Sequence, residues 1–325
     1  MRLTGLLAAL LVATFFLAIG LGETALSADQ LRSAFFAPLS APAEILWSIR
    51  APRAAAAALV GAALGLAGAV MQGLLRNPLA DPGVLGVSAF SGLAAAIVIA
   101  AGLLSTAGAV ETAALIGALV SGGLLAMLAG RLAQPQTLIL FGVALSSLGG
   151  ALTALVFNLS PSPVTTAEVL SWLLGSVANR DWSDVLRGLI PAVPGAFLCL
   201  LSGPALSQLT LGEETAALSG LPMARLRMAA VAGAALLTGA AVSVAGVIGF
   251  VGLAAPHLVR RSASEDPART LIPSALAGAV LLVAADLAAR VIPSAEELKL
   301  GVVTALFGAP VFAVVAWRAS RSWRG

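Results

Sequence analysis

The sequence predicts an all-α integral membrane protein, a bundle of ten transmembrane helices. Two observations carry that expectation. Of 325 residues, 59% are hydrophobic and 10% charged, with a mean hydropathy of +1.02; a soluble globular domain carries roughly 25% charged residues. The apolar residues also fall into runs divided by short polar stretches, and a helix crossing the hydrocarbon needs about 20 of them. The runs are roughly 3–21, 54–75, 86–104, 112–130, 137–158, 185–206, 228–247, 248–260, 271–291 and 300–317. The whole chain, 1–325, reads as one transmembrane domain.

Residues 1–28 have a basic start, an apolar stretch and an Ala-Leu-Ser-Ala end, the outline of a cleavable signal peptide. The apolar part is longer than the core of about 7–15 residues typical of such peptides, so a retained helix is expected. On the second run, Gly61, Gly65 and Gly68 stand at small-xxx-small spacing, which lets a neighbouring helix approach closely. A similar stripe runs through Gly233, Gly239 and Gly246. "GAAL" recurs at 61–64 and 233–236, although an alanine-rich chain produces such a match by chance as readily.

The eighth run is short. It either crosses on its own or forms a half-helix continuing from the seventh, and the choice inverts everything after it. With ten crossings and both ends inside, Arg2, Arg76, Arg131, Arg225, Arg227, Arg260, Arg261, Arg269, Arg318, Arg321 and Arg324 fall on the cytoplasmic side. Arg32, Arg50, Arg53, Arg180, Arg187, Arg290 and Lys299 fall outside. That asymmetry has the direction the positive-inside rule requires. Removing the eighth run would send Arg318, Arg321 and Arg324 outside, so ten crossings fit better.

Against that bias, "SIRAPRAAAA" (48–57) puts Arg50 and Arg53 at the outer mouth of an apolar helix. Arginine at a helix centre costs about 2.5–3.5 kcal/mol on translocon scales, less toward the interface. Arg290 follows Asp286 by four residues, so the two share a helix face and can pair. Taken alone, each of these arginines reads as a side chain snorkelling to the headgroups.

Inside, "LTLGEETAALSGLPMARLR" (209–227) is the longest polar stretch. It reads as two short helices. The first, about 212–219, has Glu213 and Glu214 in its first turn, where carboxylates complement the helix dipole, and Gly220 at its C-cap. The second begins near Pro222, tolerated in a first turn. A structured loop lying flat under a bundle suits docking of a partner.

Other chemistries find little material. Cys199 is the only cysteine, in an apolar stretch, which excludes a disulfide or thiolate cluster within one chain. His257, the only histidine, reads as a packed or capping residue near Arg260. Lys299 is the only lysine, and no G-x-x-x-x-G-K-[ST] stretch exists, so the chain carries no P-loop. There is no basic run with interleaved aromatics, hence no expectation of nucleic acid.

"RNPLADPGVLG", "GFVGLAAPHLVR" and the stretch from "AD..AR" to "FGAP" together resemble the permease subunits of type II ATP-binding cassette importers for iron-siderophores, haem and vitamin B12. The resemblance runs in order from "RAPR" to "FGAPVF". It implies a non-catalytic permease in a bacterial inner membrane, ten helices per copy, with two copies enclosing the pathway. The family's partners would be a cytoplasmic ATPase dimer, which binds ATP and Mg, and a periplasmic substrate-binding protein presenting one glutamate per lobe. The resemblance assigns Arg50, Arg53 and Arg290 to binding-protein docking, and Gly212, Glu213, Glu214, Ala217 and Gly220 to ATPase coupling. Asn77 and Leu79 match residues that close the cytoplasmic end of the pathway. At the start of the fifth helix, Pro135 and Gln136 stand where the vitamin B12 member has small hydroxyl gate residues. No cofactor or metal is implied in this chain. The first expectation for cargo is a ferric siderophore, then vitamin B12, haem, or an oxyanion such as molybdate. An ion-coupled secondary transporter is the reading from another class, with Asp286 as its intramembrane acid; a membrane-embedded enzyme lacks a metal cluster or a nucleophile–base pair.

Overall fold

The computed structural model describes residues 2–22, 24–37, 40–83, 85–104, 106–131, 134–160, 162–263, 265–292 and 297–322. Among them the chain is helical, with no strand. It opens with α1 (Arg2–Gly20), α2 (Ala28–Phe36) and α3 (Ala41–Glu44), then a π-helical turn, Ile45–Arg50, that leads into α4 (Ala51–Leu75). Next come α5 (Val87–Ala100), α6 (Ala109–Arg131), α7 (Pro135–Asn158), α8 (Pro163–Leu173) and α9 (Trp182–Leu201). Two short helices, α10 (Gly203–Leu209) and α11 (Glu213–Ala217), precede α12 (Met223–Ala245). α13 (Val251–Arg260), α14 (Pro267–Val291) and α15 (Leu300–Ser322) complete the order. Seven helices among the described residues are long and apolar enough to cross a membrane, α3–α4 counting as one from Ala41 to Leu75. The chain is a multi-pass membrane protein.

At the centre stands α4, apolar all round and packed on α12, α13 and α14. A helix without a polar face is stable only when enclosed. In a bilayer, lipid tails are as apolar as leucine, so helices associate through close packing of small residues. The expected glycine stripe is that seam. A Cβ at Gly61 would run into the Gly278 carbonyl, one at Gly65 into that of Ser274, and one at Gly68 into that of Gly252. The second stripe is only partly a seam. Gly233 meets Gly195 and Cys199, and Gly239 meets Ala118, but Gly246 has φ +70° and ends α12 rather than lining it.

Contacts fix the direction of the helices. Leu3 and Leu7 of α1 pack on the cluster of Ala255 and Val259 from α13 and Ala277 from α14, whereas Ala18 lies beside Arg290 at the far end of α14. Pro267, at the start of α14, lies beside Gly73 near the end of α4. α15 starts against Leu174 and Val247, and its Gly308 reaches Phe250 at the start of α13. The amino-terminal end of α1 and the forward direction of α15 therefore share the face where α4 and α13 end.

The eighth run is a half-helix, set apart from α12. α13 has ten residues, hence a length of about 15 Å, half the hydrocarbon thickness. Residues 246–250 between α12 and α13 are not helical. Non-helical backbone at membrane depth persists only where protein buries it or it lines a cavity. Here Ser176 N–H donates to the Ala245 carbonyl, and Val247, Ile248, Gly249 and Phe250 form one wall of an open cavity.

Three further expectations shift. The sixth run breaks at Ser202, whose hydroxyl bonds the Cys199 carbonyl, and α10 starts beyond it. In the loop 209–227, the second short helix is instead the first turn of membrane helix α12, with Pro222 at its N-cap. α11 stops at Ala217, so Gly220 lies past its cap, at φ +76°, where glycine permits the reversal. Arg324 lies outside the described residues.

Topology can be read by thiol labelling, since the native Cys199 is buried. Arg225→Cys should react with an impermeant reagent only from the cytoplasm and Arg32→Cys only from outside; reaction of both from one side contradicts this arrangement of helices.

Candidate functional site

Arg50, Arg53 and Arg290 converge at one end of the α4–α14 seam, together with the end of α1. Asp286 is 1% exposed and lies between two of them. Its carboxylate accepts from Arg53 Nη2 at 2.7 Å and Nε at 3.0 Å. Arg290 Nη2 lies 3.0 Å from the other oxygen, too oblique for a hydrogen bond, so that contact is an ion pair one helical turn along α14. Glu297 pairs with Arg53 from the opposite side.

Other guanidinium donors reach the end of α1 and the residues just beyond it. Arg50 Nη1 donates to the carbonyls of Ile19 and Gly20 at 3.2 and 2.9 Å, and its Nη2 to that of Thr24 at 2.5 Å. Arg290 Nη1 donates to Ala18 and Leu21 at 3.1 and 3.4 Å. A helix leaves four carbonyls unpaired at its C-terminus, and cations there also complement the dipole. The two arginines thus cap α1 instead of snorkelling outward. Among the described residues, three guanidiniums face two carboxylates, so one positive charge has only carbonyl dipoles for company.

The cavity lies further along the bundle. About 670 Å³ in volume, it is lined by Ser88, Ala89 and Gly92 of α5, by the 247–250 wall, and by one stripe of α7: Val143, Ser146, Gly150, Thr153 and Phe157. These recur every three or four residues, as one helix face must. α7, the fifth long run of the sequence, is mostly unburied elsewhere. At the cavity edge Asp81 accepts from Gly83 N–H at 2.7 Å.

At the opposite face, Asn77 and Leu79 share one turn: Asn77 Oδ1 accepts from Leu79 N–H at 2.9 Å. Pro135 opens α7 and Gln136 is exposed. Among the described residues no hydrogen bond or ion pair joins that pair to Gln136. Gly212 and Gly220, both at positive φ, flank α11. Glu213 is turned inward, paired with Arg227 of α12, while Glu214 and Ala217 lie on the exposed side.

Sequence reasoning passed over several residues here. Glu297 carries no pattern linking it to Arg53. Leu211 and Leu218, 62% and 88% exposed, give the α11 region an apolar surface. Gln72, 1% exposed, donates to the carbonyls of Gly252 and Leu253 and accepts from Arg260, tying α13 to α4. A glutamine inside an apolar run was the available signal.

A profile of the FecCD transport family matches residues 10–318. The chain belongs to the FecCD transport family. Relatives with the same span include the vitamin B12 import system permease protein BtuC of Vibrio cholerae, 42% identical over 283 residues, covering 86% of this chain and 85% of that protein. The ABC transporter permease protein YvrB of Bacillus subtilis, of uncharacterised function, is 41% identical over 288 residues, with 86% and 80% covered. In three dimensions the chain matches a metal-chelate type ABC transporter solved in an inward-facing conformation, with a TM-score of 0.87 at 30% identity, covering 98% of this chain and 99% of that one. As a FecCD member, the chain is an ABC importer permease.

Breaking a buried ion pair by removing one partner costs about 3–5 kcal/mol. Asp286→Asn should lower the melting temperature of the detergent-solubilised permease by many degrees. Arg187→Gln breaks a half-exposed pair with Asp184 and should cost under about 1 kcal/mol. Equal melting temperatures for the two variants would remove Asp286 from its place as the hub.

Proposed function

We propose that the chain moves a bulky metal chelate across a bacterial inner membrane, with vitamin B12 the favoured cargo. It would act as two copies of ten passes each, fed by a periplasmic binding protein and powered by a separate cytoplasmic ATPase that holds ATP and Mg. The ten passes are the seven long helices, α5, α15 and one crossing made of the unwound 246–250 segment together with the half-helix α13. The observation that carries this reading is the open cavity walled by α5, α7 and the unwound 246–250 segment. Such a wall is unstable against lipid and fits a water-filled path closed by a second copy.

The cargo assignment moves from the siderophore expected from the sequence to vitamin B12. Its support is the identity of 40–42% to permeases named for that import over 85–86% of this chain. Docking at Arg50, Arg53 and Arg290 gains support from the three guanidiniums that face two carboxylates among the described residues. A carboxylate arriving from outside would supply what backbone carbonyls do not, and charge-assisted pairing with guanidinium is strong and directional. The α11 region, flanked by glycines and carrying exposed Leu211 and Leu218, suits the ATPase contact. The secondary-transporter reading loses ground because Asp286, the acid it would need, is engaged in ion pairs with both Arg53 and Arg290.

Uptake into proteoliposomes with partner ATPase and binding protein tests the proposal. Cobalamin should accumulate only with ATP, ahead of ferric siderophore and haem. Salt should reduce uptake at limiting binding protein, because the charge cluster is screened. Accumulation without ATP would contradict the importer reading, and transport of ferric siderophore alone would overturn the cargo.

A further inference from the structure

We propose that Glu213 and Arg76 form the linkage through which movement of α11 reaches the 76–80 turn at the inner end of the pathway. This rests on reading α11 as the ATPase-docking helix.

The turn is built to move as one piece. α4 ends at Leu75, and Arg76 takes the left-handed backbone conformation, φ 48° and ψ 35°, which few residues other than glycine adopt. Its N–H bonds back to α4, and Asn77 N–H donates to the Gln72 carbonyl at 3.2 Å. Asn77 then closes the turn from both sides: its side chain accepts from Leu79 N–H, and its carbonyl accepts from Ala80 N–H at 3.1 Å. A displacement applied at Arg76 therefore carries Asn77 and Leu79 with it.

The arm that can apply it is the Arg76 side chain. Its Nη2 lies 4.0 Å from Glu213 Oε1. The other carboxylate oxygen of Glu213 is taken by Arg227 of α12. One carboxylate thus joins three elements: α11, which it begins, α12, and the end of α4. The first-turn position favours the negative charge. The Arg227 side chain is 12% exposed and anchors the group; that of Arg76 is 38% exposed. A pair so open to water adds little stability. Its consequence is positional, because it selects one placement of the turn relative to α11. Gly212 and Gly220 on either side of α11 both sit at positive φ with open space where a Cβ would be, so the backbone at its two ends is of the kind that adapts most readily if α11 is pushed.

The test uses the assembled transporter with its ATPase in proteoliposomes, in a Cys199→Ser background carrying Leu79→Cys as reporter. The rate at which an impermeant maleimide modifies position 79 is measured with and without a non-hydrolysable ATP analogue. With Arg76 present, nucleotide should change that rate. Arg76→Gln should shrink the change at least threefold while ATPase co-purification persists, and Glu213→Gln should act in the same direction. Arg76→Lys, which keeps the charge, should retain the response. A full nucleotide response in Arg76→Gln overturns the linkage, as does a lysine variant that behaves like the glutamine one. Leu218→Asp tests the underlying reading separately. It should abolish ATPase co-purification, and undiminished co-purification would overturn α11 as the docking helix, whatever Arg76 does.

Discussion

The structure depends on the absence of side chains along one face of α4. Gly61, Gly65 and Gly68 let its backbone lie against the carbonyls of α14 and α13. Lipid offers no hydrophobic drive for that association, so the contact itself must supply it, through dispersion and close backbone approach. The resulting separation of the helix axes sets the geometry at both ends of the seam. At one end Arg53 falls within hydrogen-bond distance of Asp286. At the other, Gln72 reaches the first carbonyls of α13 and the guanidinium of Arg260. A wider seam would loosen both ends together.

The charged groups of the bundle act as ties between helices. Asp286 holds α4 to α14, and Arg50 with Arg290 holds the end of α1 to both. α1 has few buried residues of its own, so these bonds to its last carbonyls are a large part of what fixes it. The same guanidiniums are the proposed seat of the binding protein. Docking would then draw on residues that already have structural partners, and Arg50, whose partners among the described residues are carbonyls, is the one with most to gain from a carboxylate.

Much of this was legible in the sequence. Long apolar runs pointed to the membrane class, the 286–290 spacing to an ion pair, and the glycine spacing to the seam. Glu213 and Glu214 do open a helix. The features that were not legible depend on long-range contact. Hydropathy does not register the break at 246–250, since Val247, Ile248 and Phe250 are as apolar as the helices they join. The partners of Arg50 are backbone carbonyls, which leave no trace in side-chain patterns. Glu213 reads as a surface carboxylate because nothing in its neighbourhood shows that Arg76, more than a hundred residues away, comes beside it.

The seam is tested most directly by Gly61→Ala with Gly65→Ala. Alanine raises helix propensity over glycine by about 0.8–1 kcal/mol per residue, so without the seam the double variant should be more stable. With the seam, the reverse is expected. Each Cβ meets a carbonyl of α14, overpacking costs typically about 1–3 kcal/mol per site, and thermal unfolding in detergent should occur at a lower temperature. Gly123→Ala, whose added Cβ meets nothing within 4 Å, serves as the control and should hold or raise the melting temperature. A double variant that melts at or above the unmodified protein would show that close approach of α4 to α14 does not hold the bundle together.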